Sequence, residues 1–327
     1  MPSIALLDTG DGETGHVEYA GFIGGNPVFA MVDGTAHLLA GRHREITLHD
    51  GLLAAARSWD GNLLLTSGED GRVCALGSDG GVVERNASPG KWIDRIAAGP
   101  SGAIAFSWGK KGMVLAGQTQ KPFESERTIE GIAFAPKGMR IALARYNGVE
   151  LVWINTSNPS QFLEWKGAHT GVSFSPDGKY VVSTMQENAL HGWRLSDSKH
   201  MRMTGYPAKV KSISWSAKGK WLATSGAPAA ITWPFSGKDG PMGKAPKELG
   251  AIGRILATQV ACHPEEDVVA IGYENGMVIA VRIEDDKEAL LRREGAGAIS
   301  SLNWDDAGKR LAFGTEAGEA GVIDLTQ

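Results

Sequence analysis

The side chains of this 327-residue chain best suited to metal or acid–base chemistry are eight histidines, two cysteines and a scatter of carboxylates. The densest group is the run AHLLAGRHREITLHD, which holds His37, His43 and His49. Imidazoles that share a zinc ion must each bring a nitrogen to roughly 2 Å from it. Read as strand, turn and strand, the run puts His43 and His49 at opposite ends of a strand, roughly 20 Å apart. Those two cannot hold one ion. His191 and His200 fall on adjacent strands and can approach, but two ligands do not make a zinc site. His263, in CHPEED, lies at a corner and reads as a polar turn residue.

Other chemistries fare no better. Asp8, Asp11 and Glu13 are neighbours without the alternating oxygen-ligand spacing of a calcium loop, and the Gly-Asp-Gly at 10–12 reads as a turn. There is no GxSxG nucleophile motif, no GxxxxGK[ST] phosphate loop and no CxxC pair. Cys74 and Cys262 each sit in an apolar run (RVCAL, QVACHP), which predicts two buried free thiols and a reducing compartment. The expectation is a protein that is not an enzyme, with no catalytic residue, metal or cofactor.

Charge narrows the partners. With 33 Lys and Arg against 37 Asp and Glu the net charge is −4, which argues against nucleic acid and anionic membranes. The start, MPSIALLDTGDGETG, lacks the basic and apolar regions of a signal peptide. No run approaches the roughly 20 apolar residues of a membrane span. A cytoplasmic monomer is expected, with no nucleic-acid or membrane partner.

The elements that must position these residues repeat along the chain. An apolar strand, a Gly corner, a second strand, a tight turn and a third strand recur; GVSFSPDGKYVVSTMQENALHGWRL, from Gly171, is the clearest copy. The turn between second and third strands falls at Gly34, Gly71, Gly112, Gly148, Ala189, Ala230, Gly276 and Gly318, at intervals of 37, 41, 36, 41, 41, 46 and 42 residues. A period near forty with four short strands per unit predicts an all-β propeller of four-stranded antiparallel blades. Eight turns predict eight blades in one domain, residues 1–327; seven is the alternative, because the first copy is short and irregular. The last copy ends after its third strand, so residues 3–8 (SIALLD) are expected to supply its fourth strand and close the ring.

Two further patterns bear on function. An aromatic recurs four residues before the corner glycine, at Phe134, Phe174, Trp215 and Trp304, and the last three are expected to be buried between blades. The first strands read LLAAARSW, DRIAAG, GIAFA, GVSFS, SISWS, QVACH and SSLNW. Apart from Asp94 they offer no convergent carboxylates. A propeller enzyme or small-ligand binder working in a central channel is therefore the alternative to an interaction protein.

The corner FSPDG at 174–178, its variants FAPKG, WSAKG and WDDAG, and Trp153, Trp193 and Trp233 at third-strand ends resemble the WD-repeat propeller family. The departures are the Trp-Asp pair, read here as Trp153-Ile154, Trp193-Arg194, Trp233-Pro234 and Ile323-Asp324, and the Gly-His pair, whose nearest echo is Ala168-His169. The buried His–Ser–Asp–Trp network of the family is thus expected to be mostly missing, with apolar packing in its place. The resemblance implies a non-catalytic protein–protein interaction scaffold.

In that topology the loops entering first strands and the turns between second and third strands gather on one face. Strand parity puts Trp92, Trp108, Lys110, Lys111, Arg145, Tyr146 and Tyr273 there as binding candidates. Aromatics and Arg at exposed turns suit an interface hot spot, and the local cations suggest a protein or peptide with an acidic segment. The competing reading is that Trp92 and Trp108 pack on each other. The insertion at 236–254, rich in Gly, Pro and Lys, is expected to be a mobile loop on the opposite face.

Overall fold

The computed structural model describes residues 2–7 and 15–326. Asp8, Asp11 and Glu13 lie outside the described residues. The chain forms an all-β propeller in which each repeat runs as an antiparallel meander. In the fifth repeat Val172 stands opposite Ser183, Ser183 opposite His191, and His191 opposite Arg202. Second and third strands carry apolar residues on both faces and are mostly buried, as in Tyr180–Met185 and Ala189–Arg194. Fourth strands alternate or are polar, and they lie exposed, as in Val82–Ala87.

Among the described residues the strands assemble into seven sheets, six of four strands and one of six. The expectation of eight separate blades gives way to the alternative count of seven. All eight sequence repeats are present as strands, but the fourth and fifth run together. Arg140–Trp153 contains the second and third strands of the fourth repeat, with Asn147 (φ 68°) and Gly148 (φ 147°) at the turn between them. Gln161–Phe174 contains the fourth strand of that repeat and the first of the next. A Cβ at Gly148 would run into the Leu163 carbonyl oxygen, so the bend needs glycine there. Sequence spacing counts turns; it does not show that a strand continues from one repeat into another.

The N-terminal segment Ser3–Leu6 pairs antiparallel with Ala320–Asp324, Ser3 opposite Asp324 and Leu6 opposite Gly321. It is the fourth strand of the last repeat's sheet; Asp8, the last residue of the expected strand, lies outside the described residues.

The chain divides into two compact units, Thr47–Gly205 and the remainder, Met1–Ile46 with Tyr206–Gln327. In each, apolar clusters lie between successive repeats. In the first unit Ala142, Val149 and Leu151 of the fourth repeat meet Phe174, Val181 and Trp193 of the fifth. In the second, Ala270 and Val278 meet Leu302, Leu311 and Phe313. Of the corner aromatics, Phe134 and Phe174 are buried within these layers. Trp215 and Trp304 are only half-buried, a correction to the sequence expectation. Each indole shows an edge at the corner: Trp215 against Phe235 at 4.7 Å, Trp304 against His263 at 5.0 Å. Cys74 is fully buried; Cys262 is half-buried, its thiol donating to the Ser214 carbonyl at 3.3 Å, and both are free.

Buried polar links persist in three repeats, where the sequence pointed to their loss. His49 bonds Asp70 (3.0 Å) and Thr66 (2.9 Å). His169 bonds Ser183 at 2.7 Å, beside Trp193. In the sixth repeat a tyrosine replaces the histidine: Tyr206 bonds Thr224 at 2.8 Å and accepts from Trp233 Nε1 at 2.6 Å. A neutral hydroxyl serves because the role is to satisfy a buried Ser or Thr. The signal was a His or Tyr preceding a second-strand Ser or Thr by 17, 14 or 18 residues, whatever stood before it.

Candidate protein-interaction surface

The histidines divide into separate structural roles. His37 Nδ1 and His43 Nε2 are 3.0 Å apart, one donating to the other, while His49 is engaged with Asp70 and Thr66. His263 Nδ1 accepts from the Glu265 and Glu266 amides, which leaves its Nε2–H to donate to the Gly308 carbonyl. His191 is fully buried, stacked on Trp165 at 3.9 Å and on His200 at 5.3 Å. Neither of its ring nitrogens has a hydrogen-bond partner among the described residues. Burial, then the charges of His200, His169 and Arg202, push its imidazole down to about 3. Three or more His, Cys, Asp or Glu side chains placed to hold one ion are not found among the described residues.

The interaction candidates come together in part. Ile104–Trp108 and Lys111–Ala116 form a hairpin in which Trp108 stands opposite Lys111. Its turn is tied to the segment entering the next repeat: the Ser125 amide donates to Lys110 O at 2.8 Å and the Ile129 amide to Gly109 O at 2.9 Å. Ile129 in turn stands opposite Arg145, next to Tyr146. The turns of the third and fourth repeats thus form one continuous strip through residues 125–129. Along it Lys110 and Lys111 are exposed and Tyr146 is 50% exposed. Trp108 is half-buried with its ring 6.0 Å from Phe106. Trp92 is 64% exposed, on a loop whose Lys91 and Ile93 amides bond to Ser88 O and Gly68 O beside the second repeat's turn.

Two candidates are corrected. Arg145 is buried: its guanidinium lies 4.0 Å over the Phe162 ring and ion-pairs with Glu150 at 3.3 Å and Glu126 at 3.7 Å. Tyr273 is fully buried, its hydroxyl donating to the Gly250 carbonyl. Both are the last paired residue of a second strand, where parity points the side chain into the layer between repeats rather than out of the turn. With Arg145 neutralised and Glu124 and Glu126 exposed nearby, the basic excess of the strip rests on Lys110, Lys111 and Arg127. The insertion at 236–254 is also not all loop, since Lys247–Leu249 within it is the fourth strand of its sheet.

Residues 260–327 match the family model described as the anaphase-promoting complex subunit 4 WD40 domain. Telomerase protein component 1 of Rattus norvegicus is 24% identical over 195 residues, 58% of this chain. The chain spans only 7% of the length of that relative. Among solved structures, the computationally designed Ika8 protein superimposes with a TM-score of 0.74 at 16% identity, over 96% of this chain and 98% of that one. The Cps50 (Swd1) β-propeller domain of Myceliophteria thermophila gives 0.67 at 16% identity, over 84% and 97%. The RRP9 WD40 repeats give 0.62 at 15%, over 84% and 94%. At such identities the likeness is one of fold.

Proposed function

We propose that this chain, a WD40-repeat propeller, is a non-catalytic scaffold that binds a protein or peptide partner through the strip at the turns of its third and fourth repeats. Propellers of this family are typically interaction platforms. The observation that carries the assignment is the exposed Tyr146 and half-buried Trp108, joined by backbone hydrogen bonds through residues 125–129 and flanked by Lys110 and Lys111. An aromatic held on a rigid hairpin loses little entropy on binding, and flanking cations favour a partner with acidic residues. Trp92 extends the surface on the side of the second repeat. The working compartment in this reading is the cytoplasm, and the protein acts as a monomer.

A photo-crosslinking amino acid placed at Tyr146, at Lys110 and, as control, at Gln120 on an exposed outer strand tests the proposal in cells. Discrete adducts to the same partner from the first two positions and none from the third are expected. Equal labelling from all three, or none from any, refutes it. A second reading, a small polar ligand held at the first strands, is favoured by Asp94. Burial raises its carboxyl above the usual range, and its Oδ1 has no hydrogen-bond partner among the described residues, although the next residue is Arg95 of the Arg95–Glu130 pair. Loss of adducts with Asp94→Asn would favour that reading over the first.

A further inference from the structure

The corner between first and second strands has a design that recurs in four repeats, and the fourth repeat departs from it. In the eighth repeat the corner is Trp304-Asp305-Asp306-Ala307-Gly308-Lys309-Arg310. Asp305 Oδ1 accepts from the Lys309 and Arg310 amides, and its Oδ2 accepts from Arg310 Nε at 2.9 Å. The guanidinium so neutralised lies 4.8 Å over the Phe22 ring. In the second, fifth and sixth repeats serine does the capping: Ser58, Ser175 and Ser216 each accept from the amide five residues on.

The fourth repeat reads Phe134-Ala135-Pro136-Lys137-Gly138-Met139-Arg140, with Arg140 in the place of Arg310 and Ala135 in the place of Asp305. Arg140 keeps the aromatic partner, 5.5 Å from Phe174 and 5.5 Å from Trp153, but not the carboxylate. Its half-buried guanidinium has no ion pair or side-chain hydrogen bond among the described residues, and burial alone lowers its affinity for the proton. A guanidinium removed from water without a carboxylate is costly, and a ligand that supplies one recovers that cost.

Phe174, whose ring lies 5.5 Å from the Arg140 guanidinium, also lines a groove of about 370 Å³, together with small first-strand residues such as Ala98 and Ala133 and with Trp59, Phe134 and Pro136. The corners around it, residues 57–63, 98–104, 134–140 and 174–180, hold Arg57, Lys137, Arg140 and Lys179 against Asp60 and Asp177 alone, four cations to two carboxylates in a chain of net charge −4. Both carboxylates are engaged within their own corners, by Ser58 and by Ser175 with Lys179.

We propose that this groove is a second docking site, distinct from the turn strip, for an extended peptide that places an aromatic or aliphatic side chain between Trp59 and Phe174 and an adjacent carboxylate on Arg140. The ligand carboxylate takes the position that Asp305 occupies in the eighth repeat. The apolar walls select the neighbouring side chain.

The test is selection from a phage-displayed library of random heptapeptides on the full chain, followed by binding of the enriched peptides and of their Glu→Gln or Asp→Asn forms. Enrichment of an aromatic or aliphatic residue beside Asp or Glu is expected, with at least about tenfold weaker binding of the amide forms. Ala135→Asp supplies an internal carboxylate and should abolish binding while raising the melting temperature. Arg140→Gln should abolish binding as well and serves if Ala135→Asp fails to fold. Tyr146→Ala with Lys110→Ala, on the turn strip, should leave binding unchanged, which separates this site from the proposed interaction strip. No enriched peptide, peptides without a carboxylate, or equal binding to wild type and both corner variants overturns the proposal.

Discussion

Replacing His191 by Phe tests whether burial holds that imidazole neutral. In the folded chain its pKa is about 3, against the unperturbed value of 6.5. Above pH 6.5 folded and unfolded chains both carry it neutral. As the pH falls from 6.5 towards 3 the unfolded chain takes up a proton that the folded chain refuses, so stability drops throughout that window. At about 1.4 kcal/mol per unit, the loss between pH 7 and pH 5 from this residue is about 2 kcal/mol. Phe keeps a ring packed against Trp165 and His200, cannot titrate, and removes two buried nitrogens that lack partners among the described residues. The variant should therefore be no less stable at pH 7 and should lose about 2 kcal/mol less on acidification. His37, His49 and His169 are also pushed down by burial and add to the slope of both proteins, so the difference between them is the quantity to read. Urea unfolding at pH 7, 6 and 5 supplies it. Parallel pH dependences would refute the reasoning, as would a His191 ring signal that titrates above pH 5 in the native protein.

Phe174→Ala removes a ring packed between the fourth and fifth repeats and should cost about 3–5 kcal/mol in chemical unfolding; an unchanged midpoint would show that the ring is not core. Cys74 has a thiol pushed up by burial, and that of Cys262 is raised to about 12, so neither should react with a thiol reagent before unfolding. Rapid native labelling would contradict this. Deleting residues 1–7 uncovers the edge at Ala320–Asp324 and should promote aggregation, read by light scattering. Arg145→Glu sets a second carboxylate beside Glu150 and leaves Phe162 uncovered, so it should destabilise by about 3 kcal/mol rather than act as a surface change; a wild-type melting curve would argue for an exposed Arg145.

The repeats were legible because turn chemistry is local. Gly or a small residue must sit where φ is positive, and the apolar strands between such points have little freedom in length. What the sequence hid depends on contacts between repeats. Arg145 and Tyr273 look like turn residues by position, but each adjoins a strand end whose side chains point into a layer formed with the neighbouring repeat. The polar links of His49, His169 and Tyr206 were obscured because the residue before each is Leu, Ala or Gly, and because Tyr can take the place of His. Nor did spacing reveal the continuity of Arg140–Trp153 and Gln161–Phe174, on which the sheet count turns. Lys110, Lys111 and Tyr146 are exposed at their turns, where charge and polarity favour solvent, and Trp92 is exposed on the loop entering its first strand.

The central claim is that the partner binds the turn strip of the third and fourth repeats. Hydrogen–deuterium exchange of the chain alone and in complex with the partner recovered by crosslinking measures this most directly. The account predicts added protection in 108–111, 125–129 and 145–148, with 116–120 on the outer strand unchanged. Protection confined to 236–254, or spread evenly over the outer strands, would contradict it.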